Sequence, residues 1–98
     1  MQYPNLGYLS TWTIPLPEVR KTIFSQDQEN LKKLLVEARK GAGLTQVQAA
    51  KKLGVPQSFI SKVESGERRL DLIELRALCG VYKIRLVDFV KNFEASVD

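Results

Sequence analysis

Histidine is absent from these 98 residues, and cysteine occurs once, at Cys79. A lone thiol cannot close an internal disulfide, and no Cys/His cluster exists to hold zinc. The absence of histidine also excludes histidine-based general acid–base chemistry. An enzyme would need a carboxylate or serine constellation, and none is visible, so neither catalysis nor a cofactor is expected. No apolar run approaches the ~18 residues of a membrane span. The stretch from Met1 to Pro17 carries no charge and so lacks the basic region of a secretory signal. A soluble, cytoplasmic chain is the expectation. Internal repeats and low-complexity tracts are also missing.

What is present is an ordinary globular composition, 44% hydrophobic and 27% charged. The length suits one domain with one modest core, which dimerisation would help to stabilise. The net charge of +4 is localised. Residues 26 to 70 hold nine Lys/Arg against five acids, whereas residues 71 to 98 hold four against five. Basic charge gathered on one part of a domain suits phosphates, although a charge excess by itself is also what any solvated face carries.

Hydrophobic spacing divides the chain into an arm and five helices. Residues 1–25 read as an extended arm: Pro4, Pro15 and Pro17 oppose helix, and Tyr8–Ile14 is rich in strand formers. A helical domain is expected over residues 26–94, with a tail at 95–98. The first helix is expected from about Gln26 to Lys40, capped by Ser25 with Gln28 in a capping box, its stripe being Leu31, Leu34, Leu35 and Ala38. The second runs from Gln46 to Leu53, capped by Thr45 with Gln48, with Val47, Ala49, Ala50 and Leu53 facing inward. The third runs from Gln57 to Glu64 with Ile60 and Val63 inward. The fourth follows Asp71, with Glu74 completing a third box and Leu72, Leu75, Leu78, Cys79 and Tyr82 on the core. The fifth spans Leu86 to Phe93. The fold class is all-α.

The second and third helices carry the chemistry. Counted from Gln46, a small residue stands fifth (Ala50), a glycine ninth (Gly54), and branched apolar residues fifteenth and eighteenth (Ile60, Val63). That is a helix-turn-helix arrangement, which can lay its second helix in the major groove of DNA. Gln57, Ser58, Ser61 and Lys62 point outward. Folding alone does not require so donor-rich a face; such side chains can read base edges or phosphates, or be plain solvated surface.

From Leu35 to Phe89 the residues resemble the Xre/Cro, lambda-repressor-like DNA-binding domain. The resemblance is carried by Leu35 and Arg39, Gly43-Leu44-Thr45-Gln46, Gly54-Val55, Ile60-Ser61-Lys62 with Glu64, Gly66 and Arg68, and Leu75 with Leu78. It implies a five-helix bundle binding double-stranded DNA, as a homodimer, with the third helix in the groove. It further implies a glutamine at Gln46 that holds a phosphate and supports Gln57, a base-reading Gln57, groove-facing Ser58 and Lys62, and a buried ion pair between Arg39 and Glu64. Phe59 is larger than usual there and suits a thymine methyl or the partner half-site. Thr45, Lys40, Lys51, Arg68 and Arg69 are the candidates for phosphate. Lys83 stands where a glycine commonly ends the fourth helix, so a distorted turn is expected. The arm, with Tyr3, Tyr8, Trp12 and Ile14, either packs on its own domain or is left disordered, or forms a strand exchanged with or paired against a second subunit. The function implied is a transcriptional regulator of the repressor kind. The rival readings are an antitoxin or restriction-controller component that also holds a partner protein through the arm, and a helix bundle that has lost DNA binding.

Overall fold

The computed structural model describes the chain from Pro17 to Ser96, with side chains from Gln26 onward. Five helices follow one another: α1 (Pro17–Gly41), α2 (Gln46–Leu53), α3 (Gln57–Ser65), α4 (Leu72–Val81) and α5 (Leu86–Ser96). No strand occurs among the described residues. The candidate strand at Tyr8–Ile14 and the arm's aromatic residues lie outside them.

Two boundaries differ from the sequence reading. α1 does not begin beyond Ser25 but extends back to Pro17. Proline is well suited to a first helical position, where its fixed φ is preset and its missing N–H is not needed. Neither glycine nor proline interrupts residues 18 to 40. Residues 17–25, expected as an extended arm, are therefore helical, and position 25 lies inside the helix rather than ahead of it. At the other end α5 continues past Phe93 to Ser96. Its last turn is tied down there, because the Asn30 amide of α1 donates to the Ser96 carbonyl at 3.2 Å.

The other two capping boxes form. The Thr45 hydroxyl accepts the Gln48 N–H at 3.1 Å while the Gln48 side chain accepts the Thr45 N–H at 3.0 Å. Asp71 and Glu74 exchange the same pair of bonds at 2.7 and 3.0 Å. Each box satisfies donors that a helix start leaves open. Between α2 and α3, Gly54 takes φ +81° and its N–H closes onto the carbonyls of Ala50 and Lys51. This left-handed residue lets the chain reverse within three positions.

The core gathers one or more residues from every helix and the α4–α5 turn. Leu35, Ala49, Ala50, Ile60, Val63, Leu78, Cys79, Tyr82 and Phe89 are all buried. α3 packs on both α1 and α2, α1 also packs on α5, and α4 on α2 and α5. The near-zero exposure of Ala49 and Ala50 shows why small residues stand there: a larger side chain would push α2 off its neighbours. Two expected core residues are not core. Val47 is 55% exposed, lying off the Ala49–Ala50–Leu53 arc, and Leu72 is 64% exposed. Leu72 opens α4, and helical side chains lean toward the N-terminus, which carries it past the edge of the core.

The expected distortion at Lys83 does not occur. Lys83 adopts φ +60°, the conformation a glycine would take. Its N–H bonds to Gly80 and that of Ile84 to Cys79. The turn keeps its geometry, and the strain of a side chain in the left-handed region is stored at one residue.

Candidate nucleic-acid interface

Pro56 precedes α3 in an extended conformation, so Gln57 is the first helical residue and stands exposed at the head of the helix. Ile60 and Val63 anchor the opposite side in the core, almost fully buried. This division of faces follows from helical spacing. It leaves Gln57, Ser58 and Lys62 in solvent, with Ser61 half-buried. The Ser61 hydroxyl donates to the Ser58 carbonyl at 3.3 Å.

Beneath this face runs a continuous polar chain across three helices. Arg39 of α1 grips Glu64 of α3 with two bonds, Nε to Oε2 at 2.7 Å and Nη2 to Oε1 at 3.1 Å. A third Arg39 bond, Nη1 to the Leu44 carbonyl at 2.8 Å, ties in the turn before α2. Gln46 Nε2 donates to Glu64 Oε1 at 2.9 Å, and Gln57 Nε2 donates to Gln46 Oε1 at 3.0 Å. The side chains of Arg39 and Glu64 are only 11% and 7% exposed. Hydrogen bonding to Glu64, helped by its charge, raises the Arg39 guanidinium above its ordinary value, so Arg39 stays charged. Gln46 thus sits between this largely covered pair and the head of α3.

The candidate phosphate ligands divide into two groups. Lys40, Lys51 and Arg69 are exposed; the two lysines sit in the last turns of α1 and α2. Thr45 is committed to its capping box. Arg68 is also committed. Its guanidinium forks onto Glu74 at 2.7 and 3.1 Å and donates to the Arg69 carbonyl at 2.7 Å. It also lies over the Phe59 ring, 4.4 Å from the centroid. Hydrogen bonds from Arg68 and from the Asp71 backbone lower the Glu74 carboxyl below the usual range. Phe59 is half-buried against the core with one face covered by Arg68. The structure therefore brings Gln57, Ser58 and Lys62 to one exposed face, and makes Phe59 and Arg68 part of the support for the loop behind it.

The role of Glu74 was half visible in the sequence. Its capping position was legible, but its clamp on Arg68 joins opposite ends of an irregular loop, and no helical spacing signals that. The Gln46–Glu64 bond was missed for a similar reason, since the partners lie on different helices. Behind the loop, a shallow cleft of about 110 Å³ opens between α1 and residues 68–70, floored by Leu31, Leu35, Val63 and Leu70. Among the described residues, no helix is long and apolar enough to cross a membrane.

Comparison with known proteins bears on this geometry. Residues 35–89 match the model of the family described as Helix-turn-helix. A solved structure, the XRE-family like protein from Pseudomonas syringae pv. tomato str. DC3000, is similar at 43% sequence identity and a TM-score of 0.74, covering 79% of this chain and 94% of that one. No curated protein matches.

Proposed function

The chain belongs to the XRE-type helix-turn-helix family of DNA-binding regulators, and on that premise we propose that it is a sequence-specific transcriptional repressor that reads the major groove with α3. The observation that carries the reading is the exposed Gln57 amide at the head of α3, held from behind by Gln46. Gln57 leads base recognition, with Ser58, Ser61 and Lys62 as further contacts along the helix. Gln46, Lys40, Lys51 and Arg69 hold phosphates, which makes binding steeply salt-dependent. The protein works in the cytoplasm as a homodimer, placing two copies of α3 on half-sites about one turn apart, roughly 34 Å.

Selection of bound sequences from random duplex DNA tests this directly. A two-fold-related motif should emerge, and the same motif should lie upstream of the protein's own gene. Gln57→Ala should relax preference at one base by on the order of 1–3 kcal/mol, whereas Arg69→Ala should weaken all sites alike. Failure to enrich any motif, with binding insensitive to salt, would refute the reading. A second reading adds a partner protein held by the uncharged arm, as in an antitoxin or restriction controller. It is favoured by the run from Met1 to Pro17, which has aromatic residues but no charge. Co-purification of a neighbouring gene product, lost on deletion of residues 1–16, distinguishes it.

A further inference from the structure

A carboxamide such as Gln57 can turn over, exchanging its acceptor and donor ends. Which base it prefers depends on which way it lies. The polar chain behind it removes that freedom. The Glu64 carboxylate accepts an Arg39 N–H at each oxygen, so Gln46 meets it with its NH₂ group. The Gln46 oxygen is thereby turned toward Gln57, where only an N–H can satisfy it. Gln57 is left presenting its own oxygen and its second N–H outward. A turned-over Gln57 would set two carbonyl oxygens against each other at the 3.0 Å separation seen here.

We propose that Glu64, acting through Gln46, is a positioning residue that fixes the donor–acceptor order of Gln57 and so determines which base the head of α3 prefers. The outward oxygen and N–H match the N6 donor and N7 acceptor of adenine. The ion pair of Arg39 and Glu64 then does more than join two helices, because the acceptor-only character of Glu64 is transmitted through two amides to the surface. This inference rests on the reading that α3 contacts base edges.

The test compares binding of the parent and three variants to the selected site and its single-base changes. The parent should discriminate at the Gln57 position by about 5- to 150-fold, the ratio equivalent of one bidentate base contact. In Glu64→Gln the new amide can present either end to Gln46, so both orders of the chain become available. Discrimination at that one position should fall by at least about threefold, a sizeable part of the contact's worth. Gln46→Met leaves the ion pair intact and should show the same selective loss even if Glu64→Gln folds poorly. The double variant Gln46→Glu with Glu64→Gln exchanges acid and amide. The amide at position 64 would donate to the carboxylate at position 46, which again accepts from Gln57, so discrimination should return to within about twofold of the parent.

Uniform loss of affinity with unchanged base ratios in these variants would overturn the proposal, since a purely structural role predicts that. A second readout needs no DNA. The Gln57 side-chain amide resonances should move in both single variants and return toward the parent in the double variant, and unmoved resonances would equally overturn it. A parent protein that discriminates at no base would refute the base-reading function instead, and the resonances of the free protein would still decide the polarity relay.

Discussion

Replacing Arg39 by methionine is the perturbation whose cost the structure defines best. Methionine keeps an apolar stem close to that of arginine but removes its charge and donors. The Glu64 carboxylate, 7% exposed, then loses both of its arginine bonds and retains only the Gln46 amide. Stripping one partner from a buried pair typically costs about 3–5 kcal/mol, because a desolvated charge is left behind. The surviving Gln46 bond places this case near the lower end, about 3 kcal/mol. Domains of this size have roughly 5–15 kcal/mol of stability in total. The midpoint should therefore fall by roughly 12–24 °C, at 4–8 °C per kcal/mol. Urea and thermal unfolding followed by far-ultraviolet circular dichroism would measure it. Arg68→Met is the internal control: the Arg68–Glu74 pair has the same 2.7 Å closest approach, but its side chains are 39% and 30% exposed. Its loss should be smaller and should shrink as salt is added. A loss below about 1 kcal/mol for Arg39→Met, the range of surface pairs, would refute the argument that burial makes this contact strong.

Three further substitutions test other parts of the argument. The Tyr82 hydroxyl is buried with no hydrogen-bond partner among the described residues, and burial, assisted by the charge of Glu64, pushes its phenol up from 10.0 to about 12. Tyr82→Phe should stabilise the fold by about 1 kcal/mol at neutral pH. Below pH 10 the phenol is protonated in both states. Between about 10 and 12 the unfolded chain releases its proton while the fold holds on, so the parent loses stability there and the phenylalanine variant is spared that loss; parallel alkaline melts would show otherwise if the two curves fall together. Lys83→Gly should stabilise by about 0.5–1 kcal/mol, relief of left-handed strain outweighing the entropy glycine must lose. A lower urea midpoint for the glycine variant would mean that the lysine side chain contributes more than its backbone costs. Thr45→Ala removes the hydroxyl that accepts the Gln48 N–H and should cost about 1 kcal/mol, while Thr45→Ser should cost little. Equal unfolding midpoints for the alanine and serine variants would show that the cap is dispensable.

How much of this was legible beforehand depended on how far apart the interacting residues stand. The Thr45–Gln48 and Asp71–Glu74 boxes, the Gly54 turn and the inward Ile60 and Val63 are all set within a few residues of one another, and each was read correctly. The errors sit where local signals compete. Ser25 offered a cap as good as Thr45, but Pro17 could start the same helix earlier and nothing between them broke it. Val47 and Leu72 had apolar side chains at helical spacing, yet a core edge cannot be seen in a periodicity. Lys83 broke the glycine rule without breaking the turn, because two backbone bonds hold it.

The chain of residues by itself determined the helices, their caps, the turn between α2 and α3, and the outward set at Gln57, Ser58 and Lys62, because each rests on periodicity or contacts spanning one or two turns. Tertiary packing alone decided that Arg68 is spent on Glu74 and Phe59, and that Glu64 lies close enough to Gln46 for the direction of one amide to set the next. Those contacts join separate helices or the two ends of an irregular loop, and only the packed core brings them within hydrogen-bonding reach.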